Sequence, residues 1–211
     1  MTDKTLLHPH DPFPALTVSL PGGRALRLPD DLAGHFGVVL FYRGSWCPYC
    51  NAQLSAFQRA LDALAEMDIT VVALSVDDEA TTQELIAKHG LRFPVGHGAD
   101  VSAIADATGA FVNDDPLFLQ STGFVLDPGG RVVVSVYSSG AIGRLVPQDV
   151  IGLIRYLREQ RLASREHPPG RGRRPGPIAA ASPAATACPA CGSAGSPPAM
   201  PHCRRRRRAR P

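Results

Sequence analysis

The stretch from Val38 to Cys50 constrains this chain more than any other. Val38-Val39-Leu40-Phe41-Tyr42 is apolar and rich in β-formers, and Arg43-Gly44-Ser45 breaks it. Trp46-Cys47-Pro48-Tyr49-Cys50 follows, and a helical pattern starts at once. Leu54, Phe57, Leu61 and Leu64 recur at spacings of three and four, one apolar stripe on a helix expected over 50–67. Cys47 therefore falls where a helix exposes unpaired N–H groups and the positive end of its dipole. A thiolate is stabilised there, and the thiolate is the reactive form of cysteine. Pro48 suits the first turn because its missing N–H is not needed.

The rest of the chain supplies the frame for that site. Leu16–Leu20 and Arg24–Leu28 alternate on either side of Pro21-Gly22-Gly23, which reads as a hairpin. Ile69–Val76 is β-branched and almost wholly apolar, as a strand buried on both faces would be. Asp77-Asp78 opens a helix at about 79–89, which Gly90 ends. Phe93-Pro94-Val95 is extended, Asp100 caps a helix through Ala107, and 108–120 is loop-like. Asp127-Pro128-Gly129-Gly130 turns between Gly123–Leu126 and Val132–Val136, and a last helix spans about 147–162. Two strand–helix units, a hairpin and a closing helix imply an α/β fold with a central sheet covered on both faces.

Composition divides the chain. Residues 1–165 carry 13 Lys and Arg against 18 Asp and Glu, whereas residues 166–211 carry nine Arg, no Lys and one Glu. The expected organisation is an irregular arm at 1–12, a redox domain at 13–165 and an Arg/Pro/Ala-rich tail at 166–211. Beyond 166, Ile178 and Met200 are the only large aliphatic residues, too few to offset the entropy of ordering, so the tail is expected to be disordered. Arg204–Arg208 could hold nucleic acid by charge alone, but a disordered tail is the preferred reading and no nucleic-acid partner is expected. No run of 18 apolar residues suggests a membrane span, and no secretory signal is visible at Met1–His10. The default compartment is the reducing cytoplasm, where a cysteine pair is more often catalytic or metal-binding than structural.

Taken together, these features resemble the thioredoxin-fold superfamily, and within it the alkyl hydroperoxide reductase/thiol-specific antioxidant (AhpC/TSA) proteins, which are peroxiredoxin-like. The resemblance spans roughly residues 13–162 and rests on Phe41-Tyr42, Trp46–Cys50, Leu91–Val95 and Phe124–Arg131. It implies a thioredoxin-like fold with an N-terminal β-hairpin extension and a thiol oxidoreductase with antioxidant activity. Such an enzyme reduces hydroperoxides or disulfides through Cys47 and Cys50, needs no cofactor, and is restored by a thioredoxin- or glutathione-type reductant. Thioredoxin-like proteins use the first cysteine, here Cys47, as nucleophile. Alignment on Phe41-Tyr42 instead puts the peroxidatic cysteine of peroxiredoxins at Cys50, with Cys47 at the family's Thr position and Arg43 at its Pro position. The family's second arginine has no match at Leu119–Thr122, and Arg43 and Arg144 are the candidates to substitute.

Supporting roles fall to Arg43 as positive potential near the thiolate, Trp46 as a lid and Pro48 at the helix start. The alternatives are a disulfide reductase without peroxidase activity, or a non-catalytic metal-binding module using the same pair with His97. Residues 1–165 offer no second cysteine pair to close a zinc site. Cys188, Cys191, His202 and Cys203 have zinc-ligand types but loose spacing. Asp77 and Asp78 read as turn and helix-start residues.

Overall fold

The first unbroken apolar run is the middle of the sheet. In the computed structural model, which describes residues 6–166, Phe36–Phe41 forms β3 with all six residues buried. It pairs in parallel with β4 (Ile69–Leu74), Val38 opposite Val71 and Phe41 opposite Leu74. On its other side it pairs antiparallel with β8 (Thr122–Leu126), which pairs antiparallel with β9 (Val132–Tyr137). A two-residue strand, β5 (Val95–Gly96), extends β4 in parallel, so the sheet order is β5-β4-β3-β8-β9.

The period-two alternation of β3 feeds two cores. Val38, Leu40 and Tyr42 face α1 (Pro48–Arg59), α2 (Leu61–Glu66), α3 (Glu79–His89) and α5 (Pro147–Glu166), which contribute Leu54, Phe57, Leu64, Leu85 and Ile154. Val39 and Phe41 face the other way. There α4 (Val101–Thr108) and the hairpin of β1 (Leu16–Leu20) and β2 (Arg24–Leu28) bring Val18, Leu28 and Ile104. The expected α/β architecture is therefore present, with four helices on one face and one helix plus a hairpin on the other. Gly90 ends α3 in the left-handed conformation, and Asp100 caps α4 by accepting from the Ala103 N–H at 3.0 Å.

Two local expectations need correction. The helix expected over 50–67 is two helices, parted at Ala60. The apolar stripe runs through the break, so periodicity does not reveal it. The expected loop at 108–120 contains a hairpin of β6 (Val112–Asp114) and β7 (Leu117–Leu119), strands too short to show alternation.

Residues 6–12 form no helix or strand, yet they are pinned to β9. The His10 N–H donates to Val132 O at 2.8 Å, and the Val132 N–H to Asp11 O at 2.9 Å. Among the described residues no helix is long and apolar enough to cross a membrane. The tail beyond Glu166, with Cys188, Cys191, His202, Cys203 and the arginine run, lies outside the described residues, as do residues 1–5.

Candidate active site

After β3 the chain must turn sharply into α1, and Gly44 makes that possible. Its φ of +149° suits glycine, and a Cβ there would press on Trp46 Nε1. The backbone of the next residue is held on both sides. The Ser45 N–H donates to Asp77 Oδ2 at 2.7 Å, and Asn51 Nδ2 donates to Ser45 O at 2.8 Å. Cys47 is then the N-cap residue of α1, extended at φ −85° and ψ 112°, with Pro48 in the first turn as expected. Cys50 lies in the same first turn. Both cysteines are free thiols with 0% exposure.

A cation arrives from far along the chain. Arg144, between β9 and α5, places Nη2 3.7 Å from Cys47 Sγ and 3.4 Å from Cys50 Sγ. The same nitrogen donates to Ala141 O at 2.9 Å. The Arg43 backbone N–H donates to Cys50 Sγ at 3.3 Å. The Arg43 side chain stacks instead between two rings, 4.8 Å from the centre of Trp46 and 4.9 Å from that of Phe118. Trp46 packs edge-on against Phe118 and stays 54% exposed, so it covers the arginine and leaves one side to solvent.

The two thiols are unequal. Burial pushes the Cys47 thiol up, but the Cys50 thiol and N–H and the charges of Arg144 and Arg43 outweigh it. Its pKa ends below the ordinary cysteine value, although the Cys50 N–H falls short of a regular cap hydrogen bond. Cys50 moves the other way, pushed up to about 11 by burial and by donating its S–H hydrogen bond to Cys47. Two thiols this close titrate as a pair, and the first proton leaves from the Cys47 side. Such a pair can hold one thiolate beside one thiol, the state needed for nucleophilic attack followed by internal resolution.

Residues 9–135 match the model of the AhpC/TSA family. The chain belongs to the AhpC/TSA family. Among curated relatives it is 30% identical over 154 residues to a peroxiredoxin of Methanothermobacter thermautotrophicus, covering 70% of this chain and 72% of that one. It is 26% identical over 152 residues to a peroxiredoxin of Thermotoga petrophila, covering 69% of each. Among solved structures, Mycobacterium bovis AhpC superposes with a TM-score of 0.62 at 21% identity, covering 74% of this chain and 95% of that one. As an AhpC/TSA protein, the chain is a peroxiredoxin-like thiol peroxidase, an oxidoreductase of the thioredoxin fold.

The fold brings Cys47, Cys50, Arg43, Trp46 and Pro48 together with Arg144, one of the two arginines the resemblance offered as substitutes, and adds Asp77. Asp77 reads in the sequence as a turn residue, but its carboxylate also anchors the cysteine turn. His97 stands apart on β5's edge, its backbone bonded to Ser19 and its ring 4.0 Å from Glu79. Among the described residues no three His, Cys, Asp or Glu side chains gather as a metal site.

Proposed function

We propose that Cys47 and Cys50 are the redox pair of this enzyme and that Cys47 attacks first. The observation that supports this best is one guanidinium within reach of both sulfurs, beside a Cys47 thiol shifted toward the thiolate. The thiolate attacks the terminal oxygen of a hydroperoxide and the O–O bond breaks. Cys47 becomes a sulfenic acid, and the departing alkoxide takes a proton to leave as an alcohol. The Cys50 thiol then attacks the Cys47 sulfur, water leaves, and a Cys47–Cys50 disulfide remains. Arg144 lowers the charge cost of both steps, since each passes negative charge through sulfur or its leaving oxygen.

A cleft of about 230 Å³ that is lined by Arg144 suits the substituent of an organic hydroperoxide. Tyr49, Ala52, Ala56 and Val146 give it apolar walls, and Gln53 and Arg144 its polar end. Regeneration falls to a thioredoxin- or glutathione-type thiol, and residues 13–165 act as the redox domain in a reducing cytoplasm. A second reading makes Cys50 the attacking thiol, because the Arg43 N–H and Arg144 both donate to its sulfur.

Stoichiometric peroxide added to reduced Cys47→Ser and Cys50→Ser proteins separates these readings. Trp46 fluorescence and intact mass report the reaction. A sulfenic acid forming rapidly in Cys50→Ser alone is the expected result. Rapid oxidation of Cys47→Ser alone would move the attack to Cys50. If neither outpaces free cysteine while the intact pair still exchanges with disulfides, the protein is a disulfide reductase and not a peroxidase.

A further inference from the structure

The Arg43 side chain is held flat and unpaired. Its guanidinium lies between the Trp46 and Phe118 rings, 4.8 and 4.9 Å from their centres, which fixes its plane. Nε is sealed from solvent without a partner, and no ion pair among the described residues joins Arg43 to a carboxylate. A guanidinium fork fixed in its plane suits a carboxylate, which it can grip with two parallel hydrogen bonds.

Trp46 links this fork to a second feature. A cleft of about 180 Å³ opens beside its ring, lined also by Ser45, Thr81, Glu84, Leu85 and Lys88. Glu84 and Lys88 are exposed, one turn apart on α3, and neither joins an ion pair among the described residues. This cleft shares no residue with the one lined by Arg144. Around one half-exposed indole next to Cys47, the surface therefore offers two cations, one carboxylate and an apolar face, with none of the three charges ion-paired.

We propose that Arg43, Glu84 and Lys88 around Trp46 form a binding site for the reductant, a thiol peptide of the glutathione type that carries two carboxylates and one ammonium group. The inference rests on the reading that Cys47 and Cys50 cycle through a disulfide. The charges of such a ligand are the complement of the site's. Its two carboxylates meet Arg43 and Lys88, its ammonium meets Glu84, and its thiol-bearing middle lies on Trp46 beside Cys47. Its thiolate attacks the Cys47 sulfur, the S–S bond breaks, and the electron pair leaves on Cys50, where the Arg43 N–H and Arg144 stabilise it. A second reductant thiolate attacks the reductant's sulfur in the mixed disulfide, which frees Cys47 and releases the reductant as its own disulfide. Two electrons pass to the pair, Cys50 takes one of the two protons, and the other goes to water while Cys47 stays a thiolate.

The test uses the full-length protein, oxidised with diamide and checked by mass for the disulfide. It is mixed with glutathione or glutathione diethyl ester at equal thiolate concentration, and Trp46, the only tryptophan, reports reduction by its fluorescence. Glutathione is expected to react about 5- to 20-fold faster than the ester, which keeps the thiol and lacks the carboxylates. Arg43→Gln should bring the two rates together, and Lys88→Ala, at an exposed position, should narrow the gap. Equal rates in the wild type, or a gap that survives Arg43→Gln, overturn the site, whatever thioredoxin does. S-methylglutathione, which cannot react, separates the site from the redox reading. It is expected to change Trp46 fluorescence saturably in the reduced wild type and not in Arg43→Gln. Saturation without any Cys47–Cys50 disulfide on diamide treatment would sink the redox pair and, with it, the ligand's role as reductant. A disulfide that forms while S-methylglutathione gives no saturation leaves the redox pair standing and overturns the site.

Discussion

Two neighbouring turns solve the same problem in opposite ways. β3 and β4 lie side by side in parallel, and each runs into a helix, α1 from Cys47 and α3 from Asp78. Both residues are N-caps, and the helix dipole favours a negative charge at each. Asp78 is exposed and fully used, its Oδ1 accepting the Thr81 N–H at 2.8 Å, a bond that holds its carboxyl below the usual range. Cys47 is buried and lacks a regular cap bond, so its charge depends on Cys50 and two arginines. A satisfied anion in water secures a helix end, whereas one held out of water by a neighbouring thiol and two arginines is the proposed nucleophile. The quiet turn also supports the reactive one, since Asp77, next to Asp78, accepts the Ser45 N–H.

The largest effect should come from removing the reactive cap. Cys47→Ala is expected to lower peroxide turnover by roughly a thousandfold or more, because the remaining Cys50 thiol, pushed up to about 11 by burial, is a poor nucleophile near neutral pH. Peroxide consumption with excess dithiothreitol measures it. A variant keeping a tenth of the activity would break the contrast between the turns, since Cys50 would then suffice alone.

Next in size is the loss of the distant cation. Arg144→Met is expected to slow the reaction with peroxide about 10- to 100-fold near neutral pH. The sign with pH follows from the direction of the Cys47 shift. Its thiolate is favoured below the ordinary value of 9.0, so removing Arg144 moves the midpoint of the pH–rate profile upward. The deficit should therefore be greatest at low pH and shrink as pH rises toward full ionisation. A deficit equal at every pH would mean that Arg144 acts only on the substrate or the leaving oxygen.

How much of this could be read in advance divides along the same line of local against distant. The two strand–helix units, the turn at Asp127–Gly130, the stop at Gly90 and the cap at Asp100 all carry their cause within a few residues. So do the cysteine turn and Pro48. Arg144 sits 97 residues from Cys47 and 94 from Cys50, and only the fold of the 138–146 segment brings it there. Asp77 reaches Ser45 across 32 residues in the same way. Arg43 was legible as a positive neighbour, but its division of labour was not. Its N–H serves Cys50 while its side chain serves Trp46 and Phe118, because Phe118 belongs to a hairpin too short to show in the sequence.

The smallest expected effect is the sharpest on the comparison. Asp78→Ala removes the acceptor of the Thr81 N–H, but that end of α3 is exposed, so water takes the carboxylate's place. The unfolding midpoint should drop by a few degrees. Peroxide turnover and its pH profile should stay as in the wild type, because the Asp77 carboxylate that holds Ser45 is untouched. Thermal melts and steady-state rates on the same preparation decide it. Were turnover to fall together with stability, the start of α3 would be setting the position of Asp77, and through Ser45 that of Cys47. The two turns would then be one mechanical unit, and the division between a cap for stability and a cap for reactivity would not hold.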